Sequence, residues 1–449
     1  MSHLSPLAHA RAILLLGLPL IGSHLAQMAL HVTDTVFLGW YGVNELAAVV
    51  LASSAFFVIF ILGSGFAQAV MPLVAAAMGA GDETRVRRDA RMGLWLSIGF
   101  GLLCYPLFWG SGTILSWLGQ KPEVAGLAQD FLRIGGLGMV PALLIMTLKS
   151  YLAALEKTQV VLWTTLLGVL VNGVVAYALI FGHWGMPEMG VKGAALASLT
   201  VQAVNFAVLA LYAHTQPELR RFHLFQRFWR PDAVALRSVF RLGWPIGLTG
   251  LAESALFYAT SLMMGWVGTV QLAAHGIAME VAALSFMVHL GLSNAATVRA
   301  GRADGAGDAR ALRDGAKVAI ALSVGFGLAM ILLFLTMASP IISLFLDMGK
   351  PGSAEILAFG VKLLAVAALF QMADAMQVMA LGLLRGIHDT RVPMIAATVS
   401  YWLIGIPAAY ALGFPFGMGG IGLWLGLVIG LVFAATLMMA RFWHRARRV

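Results

Sequence analysis

Four carboxylates stand in stretches that are otherwise apolar: Asp34 in "HVTDTVF", Glu253 in "LAESALFYA", Glu280 in "AMEVAAL" and Asp374 in "QMADAMQV". A charge near the centre of a bilayer costs about 2.5–3.5 kcal/mol on insertion scales. An acid placed there has either a partner or a task. Carboxylates in such surroundings can hold a proton near neutral pH, or Na⁺ when carbonyl and hydroxyl oxygens help, and can exchange either ion for an organic cation. The driving force available is about 2.3 kcal/mol per charge per 100 mV.

The neighbours of these acids share their faces. His24, Gln27, His31 and Asp34 are spaced three, four and three residues apart, which is one face of a helix. Gln371, Asp374 and Gln377 form a second stripe. Asn172, and the face of Ser198, Gln202 and Asn205, add neutral polar groups. The neutral groups are expected to hydrogen-bond between helices, for about 0.6–2 kcal/mol each. The acids differ, because no Lys or Arg is expected within the apolar core of any span to pair with them. His275 and Glu280 lie about 140° apart on an ideal helix, so only one of them is central to a given cavity.

The elements that must hold these residues are transmembrane helices. The chain has 449 residues, 60% of them hydrophobic and 11% charged, with a mean hydropathy of +0.88. Soluble domains run near 45–50% apolar and 25% charged. Apolar runs long enough to span are expected near 12–40, 46–78, 93–118, 125–148, 159–182, 191–213, 242–267, 271–298, 318–346, 354–384, 392–413 and 417–440. Of 29 Lys and Arg, all but Lys121, Arg133, Lys192, Lys350 and Lys362 fall to one side of this topology. That asymmetry places both termini and the loop 214–241 in the cytoplasm. The same loop carries Arg, Phe and Trp, and it is expected to tether two halves or to lie along anionic lipid.

The net charge of +9 does not point to nucleic acid, because the basic residues sit in short loops between spans. One cysteine, Cys104, excludes an internal disulfide and a cysteine-based metal site. No phosphate-binding loop and no HExxH motif is present, so neither an ATP-driven pump nor a metalloenzyme is indicated.

Sliding the chain by 226 residues aligns it with itself. "GLP" at 17–19 meets "GWP" at 243–245, and "GWYG" at 39–42 meets "GWVG" at 265–268. "GAGD" at 79–82 meets "GAGD" at 305–308. The expected fold is an all-α polytopic membrane protein of twelve helices. Its two six-helix lobes, 1–213 and 242–449, are joined by the 214–241 linker and related by a pseudo-two-fold axis along the membrane normal. Parallel repeats of this kind are a transporter architecture. The halves place their acids differently: Gln27 stands opposite Glu253, and Thr260 opposite Asp34.

Four segments resemble the multidrug and toxic compound extrusion (MATE) family in its NorM-like branch. They are "LPLIGSHLAQMALHVTDTVFLG", "AESALF", "AAHGIAMEVAALSFMVHLGLSNAATVRAG" and "QMADAMQVMALGLLRGIHDTRVP". The resemblance implies cation-coupled export of drugs, with Asp34 as the N-lobe acid and Glu253 and Asp374 as the acids that bind the coupling cation. This sequence departs from the family pattern at three positions. Phe370 stands where an aromatic hydroxyl is common, Glu280 where Asn or Gln is common, and Ala176 where a related branch tends to have an acid.

The expectation is therefore a Na⁺- or H⁺-driven antiporter of amphipathic, mostly cationic compounds. Glu253, Asp374 and Glu280 would bind the ion, with Na⁺ possible at Glu253 and Asp374. Asp34, with Gln27, His31 and Asn172, would form a substrate or proton site. The protein would be a monomer in the bacterial inner membrane, surrounded by lipid and without an organic cofactor. A flippase for lipid-linked precursors and a non-transporting sensor are the alternatives.

Overall fold

The computed structural model describes residues 5–448, and every regular element among them is helical. Twelve long helices follow one another. In the first half they are α1 (Pro6–Tyr41), α2 (Val43–Gly79), α3 (Glu83–Trp109), α4 (Pro122–Ala154), α5 (Thr158–Phe181) and α6 (Val191–Thr215). In the second half they are α7 (Ala233–Val267), α8 (Thr269–Gly305), α9 (Ala309–Thr336), α10 (Ser353–Gly386), α11 (Arg391–Gly413) and α12 (Gly419–Ala446). Among the described residues, eleven are long and apolar enough to cross a membrane. The remaining one, α7, has the length at 35 residues, but Trp244, Pro245 and Glu253 dilute its apolar middle.

The 226-residue repeat is visible in the turns. Asp82 and Asp308 cap α3 and α9 in the same way, each accepting a backbone N–H at 2.9 Å, from Arg85 and Ala311 respectively. The preceding Gly81 and Gly307 have φ of 71° and 66°, a left-handed geometry that favours glycine. Later in the chain the repeat continues at a larger offset. Glu156 and His388, at φ 63° and 60°, close α4 and α10 with matching hydrogen bonds to Ala153 and Arg385.

Packing divides the chain into two units. One comprises Gly22–Gly247, and the other comprises the residues up to Ile21 together with Leu248 onward. The boundaries thus fall inside α1 and α7 rather than at 213 and 242. The first part of each of these helices packs with the other repeat. In the first unit, a Cβ at Gly65 would stand 2.3 Å from the Gly243 carbonyl, and one at Gly247 would stand 2.4 Å from the Leu62 carbonyl. Only bare backbone lets α2 and α7 approach that closely. In the second unit, a Cβ at Gly291 of α8 would stand 2.9 Å from the Ile21 nitrogen of α1. These are the same crossing, displaced by one repeat. Pro19 and Pro245 lie inside α1 and α7 just before the boundaries. A proline removes one helical hydrogen bond and kinks the helix there.

The segment 214–241 is built into the first unit and is not a loose tether. Arg88 holds Asp232 through two hydrogen bonds, one of them 3.0 Å from Nη2 to Oδ1. Arg91 donates to the Gln226 carbonyl at 2.6 Å, and Trp95 donates to the Phe228 carbonyl at 2.8 Å. Lys157 pairs with Glu218, and Arg221 with Glu83. The Arg88 guanidinium pulls the Asp232 carboxyl below its ordinary value, to about 2.

Candidate functional site

Glu253 on α7 and Asp374 on α10 both belong to the second unit. α10 packs most extensively against α8, and also against α12 and α9. This buries Asp374 at 5% exposure, with Glu253 half-buried. The two carboxylates lie within electrostatic reach of one another. Glu253 Oε1 and Asp374 Oδ1 are buried without a hydrogen-bond partner, and so is Gln377 Oε1 one turn along α10. Among the described residues, no three His, Cys, Asp or Glu side chains gather into a metal cluster. The oxygen donors of this region come instead from two carboxylates, an amide and a phenol.

The phenol belongs to Tyr401, which sequence reasoning missed. α11 widens into a π-helix over Val399–Gly405, just ahead of Pro407. Proline has no N–H for the preceding turn and its ring crowds the carbonyl there. Such π segments often mark functional sites. Here the segment buries Ser400 and Tyr401 completely. Gln377 Nε2 donates to the Tyr401 oxygen at 2.5 Å, and Tyr401 lies within electrostatic reach of Glu253 and Asp374. Trp402 next to it donates to the Ala252 carbonyl at 3.3 Å, which ties α11 to the backbone adjoining Glu253. Phe370 joins an aromatic cluster with Phe257 and Trp424. The hydroxyl absent at 370 therefore has a counterpart on α11.

Other polar groups of this unit are structural. Gln371 accepts from Ser285 at 3.2 Å and donates to the Gly327 carbonyl at 2.9 Å, linking α8, α9 and α10. His289, for which the sequence offered no role, meets Ser323 at 2.8 Å. Trp424 donates to His275 Nδ1 at 3.0 Å, so the ring proton resides on Nε2, facing Ser261 at 2.9 Å. That arrangement fixes a neutral tautomer. Glu280 is exposed on α8 and has no hydrogen-bond or ion-pair partner among the described residues.

In the first unit, Asn172 of α5 donates to Asp34 Oδ1 at 2.7 Å. Asn172 is buried and Asp34 half-buried. Gln27 and His31 are exposed on α1, and neither side chain bonds to Asp34. Of the four sequence candidates here, the structure joins Asp34 and Asn172 directly and leaves the other two on the same helix.

Two cations that the sequence assigned to loops are helical. Lys149 lies inside α4, and its ammonium donates to Thr165 Oγ1 of α5 at 2.9 Å. Arg385 lies in the last turn of α10, within electrostatic reach of Glu253. The sequence assigned both to loops because each stands within a few residues of a span end.

With this geometry in view, comparison with known proteins places the chain. A family model described as MatE matches residues 19–178 and 245–411. The chain belongs to the MatE family. The two MatE segments begin at Pro19 and Pro245, which are related by the internal repeat. Similar proteins include a "Probable multidrug resistance protein NorM" of Rhizobium meliloti (strain 1021), 47% identical over 98% of this chain and 94% of its own length. A protein of the same name from Agrobacterium fabrum is 46% identical over 97% of this chain and 94% of its own length. A solved multidrug resistance MATE family transporter, in an outward-facing conformation, aligns with a TM-score of 0.88 over 98% of this chain and 96% of that one, at 21% identity. That likeness supports the twelve-helix MatE fold.

Proposed function

We propose that this MatE-family chain exports amphipathic, mostly cationic organic compounds in exchange for Na⁺ or H⁺ by alternating access. It would do so in a bacterial inner membrane, as a monomer with both termini in the cytoplasm. The observation that carries the reading is the pairing of Glu253 with Asp374, each with a buried carboxylate oxygen that no protein donor satisfies. Arg385 can offset one of the two carboxylate charges, and the second stays costly unless a cation or a proton joins it. Tyr401 and Gln377 supply further oxygens suited to a hard cation. The relatives' names support drug resistance as the outcome.

In this reading Asp34, oriented by Asn172, binds the organic cation or a proton. This reading leaves Glu280 out of the ion site, because it is exposed and has no hydrogen-bond or ion-pair partner among the described residues.

The test uses purified protein in liposomes, a fluorescent organic cation, and a Na⁺ or pH gradient imposed separately with the membrane potential clamped. Glu253→Gln and Asp374→Asn are each expected to abolish gradient-driven flux while the variants retain wild-type elution as folded protein. Wild-type flux in both variants would sink the assignment. Drive by Na⁺ identifies a metal-ion site; drive by pH alone identifies a shared proton.

A further inference from the structure

We infer that Lys149 forms an anion-binding subsite of the first unit, which takes the carboxylate of a zwitterionic substrate whose amine pairs with Asp34. The inference rests on the export reading above and names a substrate class for it.

α4 ends at Ala154 and α5 begins at Thr158, so both helices meet the same membrane face there. Lys149 lies five residues before that end, about 7 Å in at 1.5 Å per residue, and Thr165 lies about 10 Å in. A lysine near a helix end normally extends toward the interface. Lys149 does the opposite, and its ammonium bonds to a residue deeper than its own backbone. His24 of α1 is within electrostatic reach of it, and no carboxylate pairs with it among the described residues.

The Thr165 hydroxyl hydrogen goes to the Val161 carbonyl at 2.8 Å, and the same oxygen lies 2.8 Å from Ser23 Oγ. Its donor and acceptor sites are therefore full. Lys149 retains two N–H donors beyond the one used on Thr165. An ammonium held inside a span with donors to spare fits an anionic group of a ligand.

Thr165 and Asn172 are seven residues apart on α5, two turns on one face, or about 10 Å along the axis. At one end Thr165 holds Lys149, and at the other Asn172 holds Asp34. The first unit thus presents a positive and a negative group at a fixed spacing along one helix. A dipolar molecule meets both, whereas a simple cation uses only one.

Rhodamine 110, which has a free carboxylate, and rhodamine 123, its cationic methyl ester, make a matched pair of probes. Binding is read by fluorescence polarisation and flux by uptake into proteoliposomes. Lys149→Gln is expected to weaken rhodamine 110 binding and uptake tenfold or more and to leave rhodamine 123 within twofold. Lys149→Arg should retain both, and retained rhodamine 123 binding shows that the Gln variant is folded. Equal losses for the two dyes, or no loss for either, overturn the inference. So does a wild type that moves the ester and not the acid, which leaves cation export standing. Flux of neither dye in the wild type overturns the export reading and this inference with it. A Lys149→Gln effect seen only in vesicles containing phosphatidylglycerol, and absent with phosphatidylcholine alone, would assign the lysine to a lipid phosphate and overturn the substrate subsite.

Discussion

The two units are built from the same repeat but arrange their charges in opposite ways. In the second unit Glu253, Asp374, Gln377, Tyr401 and Arg385 belong to one electrostatic neighbourhood. In the first, Asp34 with Asn172 and Lys149 with Thr165 stand two helical turns apart along α5. Acids crowded together favour a small cation, because the second charge is costly until something neutralises it. Opposite charges held apart favour a larger molecule with poles of its own. One frame thus yields two kinds of site, and the difference lies in a few side chains and one backbone irregularity. α11 has the π-helical stretch ahead of Pro407, whereas α5 is regular and contains no proline.

The largest break in this contrast is expected at the acids of the second unit. Glu253→Gln and Asp374→Asn should each lower gradient-driven flux by about a hundredfold or more, consistent with losing one member of a desolvated charge site. Asp34→Asn should leave gradient-dependent ion binding by the second unit measurable in the absence of drug. Loss of that binding would erase the distinction between the units.

Tyr401→Phe comes next. It removes one hydroxyl hydrogen bond in a buried network, about 1–2 kcal/mol. The expected result is a roughly tenfold rise in the ion concentration needed for half-maximal flux, with flux at saturating ion largely kept. An unchanged ion dependence would remove the phenol from the site.

Asp232 sharpens the contrast from outside the spans. Its folded pKa is depressed, so the Arg88 pair contributes stability above the unfolded value and loses it as pH falls from about 4 to about 2. Asp232→Asn should therefore flatten the acid dependence of the apparent Tm in that window and cost a few degrees at neutral pH. A wild-type slope in the variant would show that the segment is held by other contacts. The smallest effect is expected at Glu280→Gln, within twofold of wild type in flux and ion dependence. A large loss there would return Glu280 to the ion site.

The acids were legible in the sequence because the cost of a carboxylate among apolar residues does not depend on knowing the fold. The repeat was legible because its turns keep their glycines and caps. Tyr401 was not, since a tyrosine in a span is ordinary packing material and its inward aim depends on the π-helical stretch. Pro407 was the available signal. Lys149 and Arg385 were hidden by a few residues of uncertainty at the ends of spans, where a cation is normally read as interfacial. The hold of α3 on residues 226–232 was hidden for another reason. Arg91 and Trp95 bind backbone carbonyls there, and carbonyls carry no sequence signature.

The exchange of helix beginnings at Pro19 and Pro245 has a consequence for what a half-length protein could be. A six-helix copy expressed alone would leave the glycine face of its second helix uncovered and the start of its first helix with nothing to pack on. Two such copies would complete each other, as protomers do when they swap an element. The fused chain therefore carries within itself an obligate dimer. Cutting between 213 and 242 would yield two fragments that are each incomplete and that recover only together.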